Sequence, residues 1–230
     1  MKKIGLLGGM SWQSSLAYYR IINELFQQRL GGLHSAPIIL YSVDFDEIAR
    51  CQRTGQWDQA ALVLTDAARN IEKAGADLLL ICANTMHKVA EEVEAAVSIP
   101  LLHIADAAAE TVRSGGLATI GLLGTKFTME QDFYIDRLQR FGLNVLVPNE
   151  SNRDAVHRII YEELCRGIIL EESKDMYKKI IRELIDEGAE GIVLGCTEIS
   201  LLIKPEDVSI PLFDTAYLHA LHAVEKALAK

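Results

Sequence analysis

The sequence predicts an α/β fold made of two pseudo-symmetric, doubly wound parallel-sheet lobes, with the candidate site in the cleft between them. Three observations lead there. Short apolar runs alternate with longer amphipathic segments along all 230 residues, the pattern of parallel strands joined by helical crossovers. Three pieces of sequence recur in the same order: Ile4-Gly5-Leu6-Leu7-Gly8 returns as Ile120 to Gly124, Gly75-Ala76-Asp77 as Gly188-Ala189-Glu190, and Val97 to Leu101 as Val208 to Leu212. The offsets are 116, 113 and 111 residues, a slow drift expected of a duplicated unit with small length changes in its loops. Finally, the strands that open each repeat stop at small or polar residues, where open parallel sheets bind ligands.

Taken in order, strands are predicted over 4–7, 38–43, 78–81, 101–104, 119–123, 144–147, 191–194 and 212–213. Helices are predicted over 14–30, 58–74, 86–95, 107–113, 129–140, 153–166, 172–187 and 218–228, and the residues after Cys196 are expected to begin a further one. No long polar linker divides the chain, so the repeat itself sets the boundaries. The first lobe is expected over residues 1–105 with the C-terminal helix 216–230, and the second over 106–215.

Composition narrows the function classes. Half the residues are hydrophobic, enough for a substantial core. A net charge of -9 without any Lys/Arg run argues against nucleic acid or an anionic membrane surface as partner, because phosphate binding relies on clustered cations. The start, Met1-Lys2-Lys3 then Ile4 to Leu7, is too short for a signal-peptide core, and no apolar run approaches a bilayer span, so a cytoplasmic location is expected. Cys51, Cys82, Cys165 and Cys196 show no CxxC spacing, which suggests neither a disulfide framework nor a zinc site. Cys51 and Cys165 read as bystanders.

Four strand-end loops are candidates for the site: Gly8-Gly9-Met10-Ser11, Ala83-Asn84-Thr85, Gly124-Thr125-Lys126 and Cys196-Thr197-Glu198. In the repeat Ala83 falls on Cys196. The thiol of Cys196, placed just before a helix, is expected to sit near free backbone N–H groups that favour thiolate. Asn84, Thr85, Thr197 and Glu198 offer groups able to grip a carboxylate, although capping a helix is their plainer use. Met10, Gln52 and Thr125 complete the expected substrate contacts, and His87 is a candidate to support them from behind. Lys126, Arg53 and Arg166 are possible partners for a second carboxylate. The glycine-rich turns match neither a dinucleotide fingerprint nor a P-loop, and the histidines lack ligand spacing, so no metal is expected.

Gly5-Leu6-Leu7-Gly8-Gly9-Met10-Ser11, Asn84-Thr85-Met86-His87 and Gly195-Cys196-Thr197-Glu198, in that order over the full length, resemble the aspartate/glutamate racemase family. The likeness is strongest to its broad-specificity amino-acid racemase branch. It implies an isomerase without pyridoxal phosphate or other cofactor, usually a homodimer. Two cysteines would face opposite sides of the substrate α-carbon and act as base and acid. This chain departs from that pattern. Ala83 stands where the family's first cysteine precedes Asn-Thr, and the adjacent Cys82 is expected to point to the other face of the strand. The resemblance therefore leaves an impaired or one-sided racemase acting on aspartate, glutamate or a broader set of amino acids. It also leaves a single-cysteine decarboxylase or isomerase, like the related arylmalonate decarboxylases, and a non-catalytic binding protein for an acidic amino acid.

Overall fold

The computed structural model describes residues 1–229, which form two compact units. One comprises Met1–Ile104 together with the chain from His219 onward; the other is Ala105–Leu218. Among the described residues no helix is long and apolar enough to cross a membrane.

The first unit runs β1 (Ile4–Gly8), α1 (Trp12–Leu30), β2 (Ile38–Ser42), α2 (Phe45–Thr54), α3 (Trp57–Lys73), β3 (Leu78–Ile81), a 3-10 turn (Thr85–Val89), α4 (Ala90–Ala95) and β4 (Leu101–Leu102). Its strands form one parallel sheet in the order β2-β1-β3-β4. The central strands are buried throughout while β2 is half exposed, as expected of a sheet covered on both faces with an open edge. Helices α2 and α3 supply Ile48, Cys51, Leu64 and Ile71 to a core shared with Leu7, Leu79 and Ile81.

In the second unit α5 (Ile104–Ser114), whose first residue belongs to the first unit, leads into β5 (Thr119–Gly124), α6 (Lys126–Glu130), α7 (Asp132–Arg140), β6 (Asn144–Leu146) and α8 (Glu150–Glu162). A 3-10 turn (Leu164–Arg166), α9 (Glu171–Asp186), β7 (Gly191–Gly195), α10 (Ile199–Leu202), a 3-10 turn (Pro205–Asp207) and β8 (Leu212–Asp214) follow. Its sheet has the order β6-β5-β7-β8, the same arrangement as the first. The last helix, α11 (Thr215–Leu228), opens in the second unit and ends in the first.

The duplication holds at the level of single backbone bonds. Leu7 pairs with Ile81 in one sheet and Leu123 with Leu194 in the other; Leu79 pairs with Leu101, and Ile192 with Leu212. These pairs carry the offsets of 116, 113 and 111 residues read from the sequence. The small-small-acid opening of β3 and β7 also has one physical use in both units. Gly75 and Gly188 take positive φ values of 93° and 104°, which turn the chain sharply out of the preceding helix. The acid that follows then receives backbone N–H groups at the start of the neighbouring strand. Asp77 accepts from Lys3 at 2.6 Å, and Glu190 accepts from Ala118 and Thr119 at 2.7 and 2.8 Å.

All eight expected strands are present, and the helices differ in detail. Helix α2 was absent from the expectation because its polar residues, Asp46, Glu47, Arg50 and Arg53, interrupt the apolar signal. Asp44 caps it by accepting the Asp46 N–H, and Gly55 ends it in the left-handed region. The expected helix over 129–140 is two helices broken at Gln131, and that over 153–166 closes in a 3-10 turn ending at Gly167.

Candidate functional site

In the first unit the site residues gather at the carboxyl end of β1 and β3. The hydroxyls of the first turn of α1 hold this end together. Ser11 caps the helix by accepting the Ser14 N–H, Ser15 Oγ accepts from Gly9 N–H at 2.8 Å, and Ser14 Oγ donates to the Cys82 carbonyl at 2.8 Å. A side chain at Gly9 would collide with the Val43 backbone, so the turn admits only glycine. The Met10–Ser11 peptide is cis.

Ala83 follows the last bonded residue of β3 and keeps 8% of its surface exposed, whereas Cys82 is wholly buried. Ala83 shares the core cluster of Leu79 and Ile81, so the strand alternation continues through it and sends Cys82 to the opposite face, as expected. Burial pushes the Cys82 thiol far above its ordinary value, so it stays protonated at neutral pH. Asn84 and Thr85 are buried polar residues, and Asn84 does not cap the turn it begins. Gln52 is buried, with Nε2 donating to Met86 Sδ at 3.1 Å, and Met10 packs in the same core cluster as Ala83. His87 Nδ1 lies 2.9 Å from the Ala83 carbonyl.

In the second unit β7 delivers Cys196 to the matching position. The residue is also 8% exposed, and the Gly124–Gly195 pair sets Thr125 beside it at the end of the neighbouring strand. The thiol does not have the thiolate-favouring setting expected from the sequence. Cys196 Sγ donates to Glu198 Oε2 at 2.9 Å, and Thr197 Oγ1 donates to the same oxygen at 2.8 Å. Burial first, then the Glu198 carboxylate, then Cys165 push the thiol well above its ordinary value; the Glu198 backbone N–H pulls the other way and loses. The helix after it, α10, has only four residues, too short to set up an appreciable dipole. Glu198, expected as a substrate contact, accepts the Cys196 S–H hydrogen bond, and Thr125 caps α6 by accepting the Thr128 N–H.

Two residues near this thiol were overlooked or set aside. Cys165, read as a bystander, sits half-buried on the 3-10 turn packed against α10, and its thiol is raised by burial and by Glu198. Tyr177 on α9 is wholly buried, and its hydroxyl is pushed far up by burial and then by Cys196. Neither lies near Cys196 in sequence, and only the fold brings them close. Of the candidate carboxylate partners, Lys126 is paired with Asp154 at 2.6 Å and Glu130 at 3.8 Å, while Arg53 and Arg166 are exposed. Among the described residues no group of three His, Cys, Asp or Glu side chains is arranged to hold a metal ion.

Fold and site together define a class: α/β proteins with two matched four-stranded parallel sheets and a buried, carboxylate-bound thiol at one strand end. Within that class the chain belongs to the Asp/Glu/Hydantoin racemase family, whose model matches residues 7–223. It is similar over its whole length to a Yersinia pestis protein whose structure was solved as a candidate Asp/Glu racemase, with 53% identity, full coverage of both chains and a TM-score of 0.93. An aspartate racemase homologue from Pyrococcus horikoshii OT3 matches at 39% identity, again over 100% of both chains, with a TM-score of 0.86. The broad-specificity amino-acid racemase RacX of Bacillus subtilis is 23% identical over 98% of each chain.

Proposed function

We propose that the protein is a cofactor-independent amino-acid racemase acting on aspartate, glutamate or a broader set of amino acids, with Cys196 moving the α-proton on one face. The observation that carries this reading is the Cys196 Sγ to Glu198 Oε2 hydrogen bond of 2.9 Å at the end of a buried strand. It supplies a thiol proton and a base within reach of it. In the exchange step, the thiol passes its proton to the Glu198 carboxylate and the thiolate then takes the α-proton of the bound amino acid. The electron pair of the broken C–H bond becomes a carbanion delocalised into the α-carboxylate. Asn84, Thr85, Thr197 and the strand-end amides are the donors assigned to that carboxylate. Returning a proton from Cys196 restores the starting enantiomer.

Position 83, where the family resemblance places the other thiol, carries a methyl group with no proton to give. The chemistry is accordingly one-sided: exchange outpaces inversion. The same methyl group favours one second reading, a single-cysteine decarboxylase or isomerase, in which Cys196 protonates one face of a carbanion made by loss of carbon dioxide or by rearrangement. The racemase reading brings with it a cytoplasmic homodimer. Its test is proton NMR of L- and D-aspartate, glutamate and neutral amino acids in D2O. Cys196-dependent loss of the α-proton signal is the expected result. No exchange with any amino acid, in this protein or in Ala83→Cys, overturns it and leaves a decarboxylase or a binding protein to be tested.

A further inference from the structure

The two strand ends close their turns by different means. At Cys196 the strand-end carbonyl accepts from the backbone, the Ile199 N–H at 3.2 Å, while Ser200 Oγ donates to the next carbonyl, that of Thr197, at 3.1 Å. At Ala83, the equivalent position, the carbonyl meets a side chain instead, His87 Nδ1 at 2.9 Å. A carbonyl can only accept, so Nδ1 carries the hydrogen and Nε2 is the acceptor. That acceptor is used, since the Ile104 N–H donates to Nε2 at 3.2 Å. One neutral imidazole thus joins the exit of β3 to the first residue of α5, and both bonds demand the same tautomer.

The ring is held on its other sides as well. It is 3% exposed and lies 4.4 Å from the His103 ring and 5.9 Å from that of His219. His219 is itself fixed, with Nε2 donating to the Leu102 carbonyl at 2.8 Å and Nδ1 accepting from the Tyr18 hydroxyl at 2.8 Å. His87 therefore cannot rotate without disturbing neighbours that are themselves pinned. A histidine that served only to fill the core would need neither backbone bond.

We propose that His87 is a positioning residue, holding the Ala83 carbonyl so that the Asn84–Thr85 turn presents its donors in the geometry required to bind the substrate carboxylate. The substrate clause rests on the racemase reading; the effect on the turn does not. His87→Asn keeps a donor near the Nδ1 place, and His87→Gln keeps an acceptor near the Nε2 place, so each retains one bond; His87→Phe retains neither.

Two measurements on the full chain decide the matter: the amide hydrogen-exchange rates of Asn84 and Thr85, and the rate of α-proton exchange on aspartate or glutamate in D2O. In His87→Phe and His87→Gln the two amides are expected to exchange at least tenfold faster. Substrate exchange is expected to fall by about a hundredfold, the loss typical of ångström-scale misplacement. His87→Asn is expected to recover most of both, although its melting temperature drops as far as that of His87→Gln. If both rates simply follow melting temperature across the three variants, or if the Asn84 and Thr85 amides are unchanged in His87→Phe, His87 is a structural residue and the proposal is overturned. Should the natural protein exchange no amino-acid α-proton, the racemase reading and the substrate clause fall together. The amide rates then decide the remaining claim by themselves.

Discussion

The ends of β3 and β7 are the same structure with different chemistry. Each follows a glycine turn and an acid that accepts backbone N–H groups, each completes a buried strand in equivalent register, and each leaves a residue with 8% of its surface exposed. One of those residues is Ala83 and the other Cys196. Matched backbone geometry thus carries different side chains, a methyl group at one strand end and a thiol at the other. The largest effects should come from exchanging those side chains. Cys196→Ala is expected to abolish α-proton exchange, a loss of about 10³-fold or more, in the upper range for removal of a general acid-base group. Ala83→Cys should do the opposite. By adding the absent proton carrier it is expected to turn exchange with retention into inversion, visible as growth of the other enantiomer by chiral chromatography. If Ala83→Cys changes neither rate nor stereochemistry, the two strand ends do not serve one reaction.

The next effect separates the thiol from its carboxylate. Burial and Glu198 both favour the neutral form of Cys196, so its thiolate population at neutral pH is small. Replacing Glu198 by Gln removes a negative charge beside the sulfur, which lowers the thiol's ionisation point and raises the thiolate fraction at any fixed pH. Alkylation of Cys196 by iodoacetamide at pH 7 is therefore expected to quicken severalfold in Glu198→Gln, with its rise on the pH axis displaced to lower pH. Catalytic exchange should nevertheless slow by about tenfold to a hundredfold if Glu198 takes the thiol proton as proposed. Faster alkylation with undiminished exchange would show that Glu198 tunes the thiol without relaying its proton.

What the sequence made legible follows from the same comparison. The three repeat offsets were sufficient to align Ala83 with Cys196, because parallel-strand register transmits a sequence offset directly into space. Alternation along β3 was sufficient to turn Cys82 away. The state of the Cys196 thiol was not legible. Residue order places Glu198 two positions on, yet whether its carboxylate folds back to the sulfur depends on side-chain torsions within an irregular turn. Cys165 and Tyr177 were hidden for another reason. They come from elements that meet β7 and α10 only through packing, and nothing in their local pattern records that approach. His87 stood between these cases: its place after Asn84-Thr85-Met86 marked it as a supporter, while its two backbone partners, Ala83 and Ile104, required the structure.

The smallest expected effect tests the acids that open the two strands. Glu190 has its carboxyl held below the usual range by the Thr119 and Ala118 N–H groups. A carboxyl depressed in the folded state stabilises the protein above its unfolded value, about 4.3 for Glu, and that contribution is lost as the pH falls through the lower folded value. Glutamine resembles the protonated acid in charge. Glu190→Gln should therefore lower the urea midpoint slightly at pH 7 and progressively less as the pH is brought down toward 3, with the two proteins converging. Because the carboxylate is open to solvent, screening keeps the difference small, and added salt should narrow it further. A pH-independent gap would mean that shape, rather than charge, is what β5 takes from this acid. In that event the shared opening of β3 and β7 is a matter of turn geometry, with the positive φ of Gly75 and Gly188 as its essential part.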